Sequence, residues 1–257
     1  MKRLILILIF ALTIVTDASC QNVRRLVRQV RQGEVQAYES LAICYRDGVK
    51  VEKSWLNMLC VYETYCVKTG KDVREIVKDL DAIHPYRLLT EILYMTSVDE
   101  RAMKLLSEIR TAASLEAEAV DVFLDLNSGG DQDTAASRMR VLAEKGSELA
   151  VIYLTAYYEQ TNEKQLLMDF YEVFAQRYPV FYLLSGEMYV KQYHEDGDFA
   201  NIEKAMDYYY KADKHGMLTP KFAYGLWSTY DYFGKKGMLK IKEKEIDRLQ
   251  KIAQTVK

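Results

Sequence analysis

One short pattern sets the strongest limit on what this chain can become. An apolar residue is followed four positions later by Leu or Ser, then by a mostly small residue, and three positions further on by Tyr. It stands as Ala37, Leu41, Ala42 and Tyr45, again as Ala150, Leu154, Thr155 and Tyr158, and again as Phe181, Ser185, Gly186 and Tyr189. The weakest copy is Phe222, Leu226, Trp227 and Tyr230, with Trp in the small place. Offsets of three and four lie on one face of a helix. The small residue lets a second helix approach, and the Tyr fills the gap beside it. The clearest second helix is KAMDYYYKADKHG, residues 204–216, where Ala205, Tyr208, Tyr209 and Ala212 keep helical spacing and Gly216 closes the helix. A helix pair cannot bury its apolar face alone, so the copies must stack.

The rest of the chain carries the same period. Only 3 Pro and 12 Gly punctuate 257 residues, which excludes collagen-like and Pro/Gly-rich disordered classes and argues against a turn-dense sandwich or barrel. The reading is all-α, with about twelve helices. One covers 23–32. Two fill 33–70, broken at Asp47-Gly48 and ended at Gly70. Helices over 72–83 and 86–95 flank Pro85, and a further one is capped by Ser97, with Glu100 as its capping-box partner. Pairs follow at 115–126 with 133–145 and at 147–158 with 164–177. Pro179 and Pro220 each mark a helix start. Segments 23–32 and 238–256 are expected to cap a single domain spanning 21–257.

The first twenty residues read as an export signal. Lys2 and Arg3 precede an apolar run from Leu4 to Val15, too short to span a bilayer comfortably. Two processing routes fit. Ordinary cleavage falls after Ala18 or near Cys20. Alternatively, Ala18-Ser19-Cys20 resembles a bacterial lipobox, which would make Cys20 the lipidated first residue, although Asp17 stands where that box has an aliphatic residue. The protein is expected in the periplasm or associated with the cell envelope, with no membrane span after processing. Removing residues 1–20 takes away Lys2, Arg3 and Asp17, moving the formal charge from -2 to about -3, and nothing in that balance demands a nucleic-acid partner. Cys44, Cys60 and Cys66 remain, an odd number with poor geometry for pairing among themselves, and they read as buried thiols.

The search for chemistry yields little. His84, His194 and His215 belong to no metal-ligand spacing, and no phosphate loop or cofactor motif is present. The acidic stretch from Asp196 has Ala200 at the fifth position of a would-be calcium loop, and the turn glycine is absent. Lys68-Thr69-Gly70 matches the KTG element of penicillin-recognising serine enzymes but lacks the partner Ser-x-x-Lys. No cofactor and no catalytic or metal site is expected. Adjacent tyrosines are about 100° apart on a helix, so one of Tyr157 and Tyr158, and at least one of Tyr208, Tyr209 and Tyr210, should be exposed.

On the recurring residues quoted above, the chain resembles the Sel-one-like branch of the tetratricopeptide-repeat superfamily, best over 33–70 and 179–234 and poorly over 71–114. The resemblance implies a right-handed α-solenoid of stacked antiparallel helix pairs, and a non-enzymatic scaffold that binds a protein or peptide in a concave groove. Mapped by register, the groove takes Glu39, Ile43 and Arg46; Ile152, Ala156 and Glu159; Leu183, Glu187 and Val190; and Tyr224, Ser228 and Asp231. This set suits an extended or helical peptide with some basic character. The alternative is a cell-envelope hydrolase of glycans or β-lactams built on a helical array, which would need a paired carboxylate or an activated nucleophile in one cleft.

Overall fold

A computed structural model describes residues 22–93, 99–112, 114–127, 129–240 and 243–254. The export signal with Cys20, the Ser97 cap and the end of the expected 238–256 segment lie outside the described residues. Within them the chain is all-helical, with no strand. The thirteen α-helices are α1 (Val23–Arg31), α2 (Val35–Asp47), α3 (Trp55–Thr69), α4 (Pro85–Leu93), α5 (Glu100–Ala112), α6 (Ser114–Asn127), α7 (Gln132–Lys145), α8 (Glu148–Gln160), α9 (Lys164–Phe174), α10 (Val180–Asp196), α11 (Phe199–Lys214), α12 (Pro220–Lys235) and α13 (Glu243–Ala253).

Local chemistry sets most boundaries. Asn22 and Ser54 accept from the Arg25 and Asn57 amides at 3.1 Å each and so cap α1 and α3. Asp99 does the same for α5, accepting from the Ala102 amide at 3.0 Å. Pro220 opens α12 at its first turn, where no amide is missed. The expected helix over 72–83 is not formed. A 3-10 segment spans only Val73–Val77, followed by single turns from Leu80 N–H to the Val77 carbonyl at 3.1 Å and from His84 N–H to the Asp81 carbonyl at 2.9 Å. Asp79 and Asp81 are poor helix formers, and Pro85 disfavours helical geometry at His84.

The chain divides into two compact units, with one boundary after Lys71 and the other inside α9. One unit, Asp72–Phe170, is built from sequence neighbours: α4 packs on α5, α5 on α6, α6 on α7 and α8, and α7 on α8. Its interior holds Ile109, Val120, Met139, Leu154 and Phe170.

The other unit joins the chain up to Lys71 with the chain from Tyr171 onward. Its pairs α2–α3, α10–α11 and α12–α13 pack as neighbours, but α1 also packs on α11, and α3 on α10. The segments expected to cap the array touch each other: Arg248 of α13 donates to the Arg31 carbonyl at the end of α1 at 2.8 Å. Asn57 donates to the Arg177 carbonyl at 3.0 Å, across 120 residues of sequence. Gly186 sits against Tyr209; an added Cβ would lie 2.4 Å from the ring, so the small repeat position is a true close approach. The thiol expectation splits. Cys60 is a free, buried thiol whose pKa burial pushes up to about 12. Cys44, in contrast, is disulfide-bonded, so the reading of three free thiols is corrected there; poor spacing among residues 44, 60 and 66 excludes only bridges within that set.

Candidate partner-binding surface

The twelve register positions divide by what packs on each helix. Leu183 is only 1% exposed and cannot line an open groove. The register assumes that α10 meets one neighbour on its far side, whereas α10 packs on both α11 and α3. Glu187, one turn further, is half-buried and reaches Lys221 of α12, carboxylate to ammonium 3.2 Å. Lys221 also lies 5.0 Å over the Phe222 ring, which itself stands 5.7 Å from Tyr209. Tyr224 follows on α12, 59% exposed, its ring 5.4 Å from that of Trp227. Ser228 is half-buried, and Asp231 is exposed and paired with Lys235 at 2.6 Å. Glu187, Tyr224, Ser228 and Asp231 therefore belong to one surface strip, together with Lys221 and Trp227. Val190 is half-buried on α10.

The first-pair positions are more occupied. Glu39 accepts a hydrogen bond from Gln36, Ile43 is half-buried, and Arg46 pairs with Asp47 at 2.7 Å. In the 72–170 unit, Ile152 is half-buried on α8 while Ala156 and Glu159 are exposed. Trp227 was visible only as the residue that breaks the repeat pattern. In the structure it stands where Tyr224 needs a ring beside it.

The expected exposed tyrosines are not found: one of each group leaves the core only halfway. Tyr158, Tyr208 and Tyr209 are buried; Tyr157 and Tyr210 are half-buried. Both outer hydroxyls are engaged. Tyr157 donates to Asp133 at 2.7 Å, which raises its pKa to about 12. Tyr210 accepts from Tyr230 at 2.7 Å.

The buried Asp213 and Lys68 and the half-buried Glu116 are bonded to structural partners. Asp213 is 1% exposed. It takes Arg31 Nε at 3.0 Å and Arg248 through both terminal guanidinium nitrogens, Nη1 and Nη2, at 3.0 and 2.9 Å. This bidentate grip, with Glu245 on the far side of Arg248 at 2.9 Å, ties α1, α11 and α13 together. Lys68, the lysine of the KTG element, points into the end of α13 and donates to the carbonyls of Ile252 at 2.8 Å, Gln254 at 3.1 Å and Lys251 at 3.4 Å. A cation at a helix C-terminus answers unsatisfied carbonyls and the helix dipole. Burial, and then the charge of Lys251, pull the Lys68 pKa down. In the 72–170 unit, Glu116 caps α8 by accepting from Ser147 Oγ at 2.7 Å and from the amides of Glu148 at 2.8 Å and Leu149 at 3.2 Å. Burial raises its pKa against those bonds.

The same unit has an open cleft of about 450 Å³ beside the 3-10 segment. Its charges largely neutralise each other: Arg74 grips Asp72, while Arg87 and Arg101 share Glu91 at 3.2 and 3.4 Å. Among the described residues no cluster of His, Cys, Asp and Glu is arranged to hold a metal ion, and no helix is long and apolar enough to cross a membrane. The chain matches no family model, no curated protein and no solved structure.

Proposed function

We propose that this chain is an exported, non-enzymatic scaffold of the periplasm or cell envelope. In this reading its helix pairs are repeats of a right-handed Sel-one-like α-solenoid, and it holds a protein or peptide partner on the strip formed by α10 and α12. The observation that carries the reading is the exposed Tyr224 ring packed on Trp227, flanked by the Glu187–Lys221 pair and by Asp231. Tyr and Trp give large contact area with little side-chain freedom to lose, and such residues dominate binding energy at protein interfaces. Charges of both signs around them suit a polar rim. The partner is a segment with an apolar or aromatic anchor and charged flanks.

The hydrolase alternative draws less support. Lys68 is bound to three carbonyls, and Asp213 and Glu116 are each bonded to donors of the fold itself.

The test uses the chain from Cys20 onward, since every helix described lies between residues 22 and 254. It is compared with a Tyr224→Ala/Asp231→Ala variant of unchanged circular dichroism, both immobilised against an envelope extract. A partner captured by the first and lost by the second, with purified-partner affinity reduced at least tenfold, supports the strip. A partner held equally by both moves binding to another face and sinks the reading.

A further inference from the structure

A tripeptide occurs twice at helix ends. Gly216-Met217-Leu218 follows α11, and Gly237-Met238-Leu239 follows α12. Both glycines are left-handed, at φ +74° and +71°. Both methionine amides reach back into the preceding helix, to the Ala212 carbonyl at 3.1 Å and the Phe233 carbonyl at 3.0 Å. This is the 6→1 bond of a Schellman end, which normally folds the residue after the glycine onto the helix. At the first turn that happens: Met217 and Leu218 are buried, Gly216 faces Val30 and Leu41, and Cys60 Sγ donates to the Met217 carbonyl at 3.7 Å. At the second turn Met238 is 47% exposed, and nearby Tyr232 on α12 is 53% exposed.

Four exposed lysines accompany the second turn: Lys235, Lys236, Lys240 and Lys244. Lys236 lies 4.0 Å over the Tyr232 ring and donates to its hydroxyl at 2.6 Å. Lys235 is paired with Asp231. Lys240 and Lys244 make no ion pair among the described residues. The carboxylates on either side are Asp231, paired with Lys235, Glu245, paired with Arg248, and Glu243 and Asp247 on α13; between Tyr232 and Lys240 the chain holds three lysines and no carboxylate, so the end of α12 is basic in a chain of net charge -2.

We propose that the C-terminal end of α12, with Tyr232, Lys236, Met238 and Lys240, is a contact for an anionic lipid bilayer. The exposed apolar area is a tip, far below the roughly 800 Å² that each partner buries in a specific protein interface. A bilayer surface asks for this composition: a methionine tip entering the interface, a tyrosine at headgroup depth, and lysine stems lying on apolar surface with their ammonium groups at lipid phosphates. Lys236 is already held alongside Tyr232 in that manner. Each lysine near an anionic surface strengthens binding by about fivefold, so the contact is weak and salt-sensitive.

The experiment sediments the unlipidated chain from Cys20 onward with vesicles of phosphatidylcholine alone or with about a third phosphatidylglycerol. The expected result is at least tenfold stronger partition onto the anionic vesicles at low salt. Charge reversal by Lys236→Glu/Lys240→Glu should abolish that preference, and Met238→Ser should weaken it severalfold, with all three chains melting alike. Inorganic phosphate should displace no more protein than chloride at equal ionic strength. Equal partition onto both vesicle types, an unaffected charge-reversed variant, or specific displacement by phosphate would overturn the proposal.

Discussion

The two Gly-Met-Leu turns share a tripeptide, a backbone and a hydrogen bond, yet one is buried and the other is open to solvent. The difference lies three residues upstream and more than a hundred residues away. Before Gly216 stands Asp213, gripped by Arg31 and Arg248; before Gly237 the same position is Gly234. The first turn is thus pulled under α1 through a buried charge, and Val30, Leu41 and Cys60 complete its cover. The second has no anchor of that kind. A helix end chooses its local shape from its own residues, but its burial comes from whatever the rest of the chain brings to it.

The largest expected effect comes from cutting the anchor. Asp213→Ala leaves Arg31 and Arg248 without their buried acceptor, and removing one partner of such a network costs about 3–5 kcal/mol. Urea denaturation of the variant should show that loss in the unit that contains α1, α11 and α13. A loss under 1 kcal/mol would mean that apolar contacts alone cover the first turn. Next is Met217→Ala. Truncating a buried methionine costs roughly 2–5 kcal/mol, and the measured midpoint should fall accordingly. Gly186→Leu should cost about 1–3 kcal/mol, because the new side chain meets the Tyr209 ring. An unchanged melting temperature there would show that α10 and α11 can slide apart freely.

These sites also show what was legible in the sequence. Gly186 could be read from spacing alone, because a small residue at a fixed place in a helical period announces a close approach. The helix ends at Gly48 and Gly70 were legible because capping is chemistry within a few residues. Leu183 was misplaced because register arguments know only the next helix, and α3 arrives from over a hundred residues earlier. Asp213 and Lys68 had the same concealment. Each looks like an ordinary charge on a helix face, and only the return of α13 to α1 and α3 makes them buried anchors. Of the strip, Tyr224, Glu187 and Asp231 followed from the repeat, while Lys221 and the role of Trp227 needed the contact between α10 and α12. The failed helix at 72–83 has a local cause, since Asp79, Asp81 and Pro85 outweigh its apolar spacing.

The smallest expected effect closes the comparison from the other side. Met238→Ala removes the same atoms as Met217→Ala, from the same place in the same turn. At 47% exposure much of that side chain already meets water, and no tightly packed cavity is left behind. The apolar area lost to solvent on truncation is correspondingly small, and surface substitutions of this kind stay within about 0.5 kcal/mol. Gly237 and the Met238 amide keep the turn itself, so the helix end should not fray. Thermal melts of the two alanine variants, run side by side, should therefore differ by several degrees, with Met238→Ala close to the parent chain. If Met238→Ala instead destabilises as much as Met217→Ala, the second turn is covered in solution. The exposed tip would then have to be a buried contact, supplied by the chain itself or by a second copy. A concentration series of the melting temperature separates those two, because only cover from a second copy makes stability depend on protein concentration.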